Sequence, residues 1–235
     1  MSRIWVYLSA TPLLWLSATL LAYQAGDFAY RRSGAKPLFH PVVIAVTLII
    51  ATLMATGTPY DTYFSGAQFV HFLLGPATVA LAVPLYQHRA EVRRALVPML
   101  LALFAGSTTA IACAVVIAKV LGATAETVSS IAPKSATTPI AMAISEQLGG
   151  LPSLTAAIVI ATGIFGALVV TPVLNLLRIR DWRGRGFAAG VAAHGLGTAR
   201  AFQVNELAGT FAGIALGLNG IATALLAPAL LRLLR

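Results

Sequence analysis

Acidic side chains are scarce in this chain: seven Asp and Glu stand against sixteen Lys and Arg in 235 residues. Charged residues of both signs make up only 10%, far below the roughly one quarter that coats a soluble domain. Cysteine is nearly absent, and Cys113 alone excludes an intrachain disulfide or a thiolate metal cluster. No set of His, Cys and carboxylate residues has metal-ligand spacing, so no metal is expected. No Gly-rich Walker pattern is present for nucleotide phosphates. Ser145 and Glu146 are adjacent but lack a base that would activate a nucleophile. The chain is therefore not expected to be an enzyme or to carry a cofactor. A net charge of +9 would suggest nucleic acid in a soluble protein. Here the basic residues fall in short loops between apolar runs, so no nucleic-acid partner is expected.

What the chain does have is apolar length. The hydrophobic fraction is 58% and the mean hydropathy +0.86. Repeated apolar runs of about 18 residues or more identify a multi-pass, all-α integral membrane protein with lipid as its solvent. Candidate segments are 4–24, 41–57, 63–86, 96–121, 125–148, 153–177, 186–204 and 208–231. The first run, Ile4 to Gln24, lacks an Ala-x-Ala cleavage site and is long enough to span, so it is read as retained. Twelve of the sixteen basic residues lie in four places: Arg31, Arg32 and Lys36; Arg89, Arg93 and Arg94; Arg178, Arg180, Arg183 and Arg185; Arg232 and Arg235. Basic loops favour the cytoplasm. All four lie inside if segment 125–148 enters and returns to one face. The fold expected is thus about seven transmembrane helices plus a re-entrant hairpin, with the N-terminus outside and the C-terminus inside. Eight full crossings that break the charge rule are the alternative. In the first reading, residues 1–235 form one domain, and 41–121 and 153–231 run in opposite senses, as inverted repeats of a transporter would.

Chemistry-bearing residues cluster at interruptions of the apolar segments. Pro133 and Pro139 bracket Lys134, Ser135, Thr137 and Thr138. Proline biases Ala132 and Thr138 toward extended backbone, Thr138 suits an N-cap, and Pro139 suits the first helical position. A half-helix starting there would aim its N–H groups, beside the Lys134 ammonium, at an anion such as a carboxylate. Lys134 snorkelling from an ordinary loop is the competing reading. Arg200 is a second cation, in Ala193-His194-Gly195-Leu196-Gly197-Thr198-Ala199-Arg200-Ala201. Its guanidinium suits bidentate carboxylate binding, with Thr198 as a polar neighbour. An inter-segment ion pair is its alternative role. His194 and His71 lie within spans, and each is read either as a proton-coupling group or as a hydrogen-bonding strut. Gly75 with Pro76, and Gly195 with Gly197, mark helix breaks at similar places in the two triplets. The small residues of Gly213-Ile214-Ala215-Leu216-Gly217 read as a packing face.

These stretches resemble the LrgB family, including CidB-like proteins and the LrgB-like part of the plastid glycolate/glycerate transporter. Phe72-Leu73-Leu74-Gly75-Pro76-Ala77-Thr78-Val79-Ala80-Leu81-Ala82-Val83-Pro84-Leu85-Tyr86 and Ala132-Pro133-Lys134-Ser135-Ala136-Thr137-Thr138-Pro139-Ile140-Ala141 carry the resemblance, joined by Thr162-Gly163-Ile164 and the stretch around His194. The chain departs from the family where Ala143 replaces a frequent Glu, and at Val170-Thr171-Pro172. The resemblance implies a bacterial cytoplasmic membrane protein and two accounts of its role. One is an antiholin- or holin-like regulator of murein hydrolase activity and lysis, acting with a small LrgA- or CidA-like membrane partner. The other is a transporter of pyruvate, glycolate or glycerate. The buried cations favour the transporter, working by alternating access, with dimerisation through small-residue faces expected.

Overall fold

Proline in the first turn opens four of the helices, where its missing N–H costs nothing. The computed structural model describes residues 11–34, 39–73, 76, 79–80 and 82–234. Eleven helices occupy the described residues, and the chain divides into two units, Met1–Ala80 and Leu81–Arg235. Gly75, Lys36 and Arg235 lie outside the described residues.

The first unit holds α1 (Pro12–Arg32), α2 (Pro41–Thr56) and α3 (Tyr60–Phe72). Buried Trp15 of α1 meets the Tyr63 ring edge-on at 5.9 Å. A Cβ at Gly66 would lie 2.8 Å from that of Trp15, so only glycine lets α3 approach so closely. Residues 4–10 of the first expected segment lie outside the described residues, and α1 runs past the expected end at 24 through Arg31 and Arg32, which form its last turn. There they complement the carbonyl end of the helix dipole. Pro76 is exposed.

The second unit holds α4 (Ala82–Gln87), α5 (Arg89–Arg94), α6 (Leu96–Val120), α7 (Ala125–Ile131), α8 (Thr138–Gln147), α9 (Pro152–Leu176), α10 (Trp182–Val204) and α11 (Glu206–Leu233). Three of these, α6, α9 and α11, are long and apolar enough to cross a membrane. Residues such as Leu101 and Phe104 on α6 point outward, as lipid-facing positions do. Helices α6 and α11 run parallel. Met99 and Leu103 near the start of α6 pack with Phe211 and Ala215 near the start of α11. Farther along, Ile111, Val115 and Ala118 pack with Ala227 and Leu231. Lys119 at the far end of α6 donates to the Leu234 carbonyl.

Two elements are not straight crossings. Helices α7 and α8, roughly 10 and 15 Å long at 1.5 Å per residue, form a hairpin entered from the far end of α6. The Leu151 N–H donates to Ser130 Oγ at 2.8 Å, which brings the chain back beside α7 before α9 begins. This matches the interruption expected at Pro133–Pro139. In the second, a break was expected at Gly195 and Gly197, but a fold-back was not. Segment 186–204 reads as one crossing, yet α10 folds back on itself at Ala193 (φ −127°, ψ 18°) and His194 (φ 41°, ψ −131°). A Cβ on Gly197 would lie 2.4 Å from the Ala189 carbonyl oxygen, and Trp182 and Val204 line one small cavity. In a straight helix those two residues would be roughly 33 Å apart. Both arms of α10 therefore open at the end where α6 begins, and α11 leaves from that end.

Small residues make this possible. Cβ atoms at Gly186 and Gly190 would come within 1.9 and 2.2 Å of the Ala208 and Ala212 carbonyl oxygens. That places a small-xxx-small face of α10 directly on α11. Gly217, from the stripe expected to pack, faces open space, although Ala215 beside it is fully buried.

Candidate functional site

The hairpin tips meet halfway along α11, at Asn219. This side chain is completely buried in the second unit and uses every hydrogen-bonding group it has. Its Nδ2 donates to the Ser135 carbonyl at 2.9 Å, on the tip of the first hairpin, and to the Val191 carbonyl at 3.2 Å, on the tip of the second. Its Oδ1 accepts from Ser107 Oγ at 2.7 Å, midway along α6. One amide thus ties two hairpins and two long helices. Polar side chains are costly at such depth, and their hydrogen bonds must be satisfied internally. Sequence reading passed over Asn219 and Ser107, although an Asn in the middle of an apolar run was the available signal.

The first tip differs from its expected conformation in detail. Ala132 is right-handed helical (φ −51°, ψ −47°), not extended, despite the proline that follows. Its N–H bonds to the Val128 carbonyl, and the next donors close tight turns, Lys134 to Ile131 and Ala136 to Pro133. Buried Pro133 interrupts the ladder without straightening the chain. The N-cap of α8 is Thr137, one residue earlier than expected, so Thr138 and Pro139 fall inside the first turn. Thr137 makes no side-chain cap bond. Ser135 is buried, and its Oγ accepts from Lys134 Nζ at 3.4 Å. Two hydroxyls and a carbonyl close this hairpin onto α9: Thr155 Oγ1 lies 2.7 Å from Ser145 Oγ and 3.0 Å from the Ser130 carbonyl.

At the second tip His194 is buried, and its Nε2 donates to the Val159 carbonyl of α9 at 2.9 Å. Gly163 and Gly166 of α9 leave room for it, since Cβ atoms there would meet the His194 ring at 2.5 Å and the Ala193 Cβ at 2.4 Å. Thr198 Oγ1 bonds back to the His194 carbonyl at 2.9 Å. The break itself lies at Ala193–His194. Gly195 is a helical residue facing open space, and Gly197 is needed for arm-to-arm contact. Arg200 is buried on the returning arm. Its Nη1 reaches Gln203 Oε1 at 3.5 Å, and it lines a small cavity with Leu174, Trp182 and Arg185. Lys134 is not part of that cavity. The structure brings Ser135 and Lys134 to the tip junction and sets Arg200 along the second hairpin, toward the start of α11.

Above the junction lies a cavity of about 500 Å³ between α6, the first arm of α10 and α11. Arg94, Asp181 and Arg183 stand at its mouth, and Gly106, Ala110, Val191 and Ala192 line it farther in. Asp181 caps α10 and meets Arg183 Nε at 3.1 Å, so the guanidinium holds its carboxyl below the usual carboxylate range.

The LrgB-like family matches residues 19–233. An uncharacterized protein, YwbG, of Bacillus subtilis is 34% identical over 216 residues, covering 92% of this chain and 96% of the relative. A second uncharacterized Bacillus subtilis protein, YxaC, is 36% identical over 86% of this chain and 88% of its own. A Bacillus mycoides protein named antiholin-like protein LrgB is 30% identical over 93% of this chain and 95% of its own. No solved structure matches. With a family match over nearly its whole length, and with helices of membrane-crossing length and polarity, this chain is a membrane protein that belongs to the LrgB-like family.

Proposed function

We propose that the protein has an antiholin-like role and exerts it as a carrier of small monocarboxylates in the bacterial cytoplasmic membrane. Kinship supports the antiholin-like part better, because that is what the named Bacillus mycoides and Bacillus cereus relatives are called. The carrier part rests on one observation: two half-length hairpins entering from opposite ends are tied together at mid-depth by Asn219. Polar side chains hydrogen-bond across membrane helices generally; here the bonds end on carbonyls at the tips of two interrupted segments. Interrupted helices meeting at the midplane are how carriers build a solute site.

In this reading, the start of α8 and the start of the returning arm of α10 both present helix N-termini to the junction, where an anion is favoured. Lys134, Ser135, Thr137 and Thr138 serve the solute from the first hairpin; His194, Thr198 and Arg200 serve it from the second. A helix and a hairpin occur twice in opposite senses, over 96–147 and 152–204, and we take this pair as the repeat that alternates access. The end carrying Arg93, Arg94 and Arg178–Arg185 faces the cytoplasm. Altered lysis then follows from altered organic-acid flux, with a dimer and an LrgA- or CidA-like subunit as partners.

The test is uptake of labelled pyruvate and glycolate into proteoliposomes, with Lys134→Ala and Arg200→Ala alongside. Uptake that falls at least tenfold in both variants supports the site; unchanged uptake removes it. Dye leakage without carboxylate flux would replace the carrier with a lesion-forming role. Neither flux nor leakage, with co-purification of an LrgA-like protein, would leave a scaffold.

A further inference from the structure

We propose that the cavity of about 500 Å³ between α6 and α10 is the substrate vestibule, and that it selects a short aliphatic monocarboxylate over hydroxylated acids. The inference rests on the carrier reading and specifies its substrate. Three observations carry it.

The first is charge. Arg94 and Arg183 flank the mouth, and Asp181 neutralises the second of them at 3.1 Å. The lining thus holds two cations and one carboxylate, with Glu91 acting on Arg183 from outside it, a balance that suits a monoanion better than a dianion. The second is the wall. Pro98, Met99, Ala102, Phe187 and Phe211 dominate it, and none of the lining side chains bears a hydroxyl or amide. A solute with several hydroxyls would lose its water there without finding partners, whereas an aliphatic body would not. The third is depth. The lining includes Gly106, next to Ser107, and Val191, whose carbonyl Asn219 holds. A solute at the floor therefore lies directly behind the bond that joins the hairpin tips. The volume falls within the range of small-molecule sites.

Replacing Cys113 by Ser removes the only cysteine and provides a background for labelling. In detergent, Ala102→Cys should react with a maleimide, and butyrate should slow that reaction at least fivefold, with glycerate far weaker. Leu101→Cys, on an outward-facing residue 67% exposed, should show no protection. In proteoliposomes, Ala102→Trp should cut uptake at least tenfold while Leu101→Trp stays near wild type. Absence of wild-type carboxylate uptake overturns the carrier reading itself. Wild-type uptake with unprotected Ala102→Cys, or protection by glycerate equal to that by butyrate, overturns the vestibule and leaves the carrier standing. Protection that follows added anionic lipid instead of carboxylate marks a lipid site and likewise overturns it. The labelling arm reads a small substitution, so it decides even if the tryptophan variant fails to fold.

Discussion

Asn219 is the residue on which most of the second unit converges, because its amide satisfies two carbonyls and one hydroxyl of buried residues. Asn219→Leu fills a similar volume but leaves those groups unpartnered, each costing about 1–3 kcal/mol. The expected result is a loss of several degrees in the thermal unfolding midpoint in detergent, with Ser107→Ala milder at about 1 kcal/mol. A midpoint unchanged in Asn219→Leu would show that the tips are held by something else. Glycines divide by what surrounds them. Gly186→Ala puts a Cβ 1.9 Å from a backbone oxygen of α11, and should destabilise by about 2 kcal/mol or more through forced separation. Gly217→Ala meets nothing within 4 Å and should be neutral or stabilise by up to about 1 kcal/mol through helix propensity. Lys134 and Arg200 were visible in the sequence because charge is conspicuous among apolar residues. Asn219 was harder to single out, since an uncharged amide marks a site only once its partners are known.

At the scale of elements, the first hairpin was legible, whereas in the second only an interruption near Gly195 was, not the reversal of the chain. Pro133 and Pro139 announce a break in any helix that contains them. The α10 segment carries no proline. Its turn is made by a histidine held at φ 41°, ψ −131°, a conformation that side chains other than glycine avoid at a cost of about 1–3 kcal/mol. Contacts with α9 hold it there: the bond from Nε2 to the Val159 carbonyl and the space left by Gly163 and Gly166. None of these is local in sequence. The fold-back has a direct consequence for labelling. Cysteines placed at Asp181 and Asn205, the two caps of α10, should react with an impermeant reagent from the same side of the membrane. Gly150→Cys and Ala123→Cys should react together from the opposite side. Labelling of Asp181→Cys and Asn205→Cys from opposite sides would restore the straight crossing.

For the second unit as a whole, folding α10 back changes where the chain ends. With a full crossing at 186–204, the C-terminal arginines join the other basic loops on one face. With α10 as a hairpin, α11 runs parallel to α6, and Arg232 lies at the end marked by Lys119 and Leu234, away from Arg94 and Arg183. Arg180→Cys and Leu234→Cys are therefore expected to label from opposite faces of intact cells or oriented vesicles. The basic loops remain a valid guide for the cytoplasmic face, because two of them, at 89–94 and 178–185, still share one end.

Membrane residence, helical class, the long helices α6, α9 and α11 and the break at Pro133–Pro139 were determined by the sequence alone. Hydropathy and proline act through local backbone physics, the cost of burying unpaired peptide groups and the loss of an N–H donor. The second hairpin, the direction of α11 and the role of Asn219 were decided only by the tertiary structure. Each depends on residues distant in the chain, glycine faces that allow backbones to touch and carbonyls freed at two separate tips. Such contacts leave no periodicity in the sequence. A site formed where two interrupted segments meet exists only once packing has brought them together.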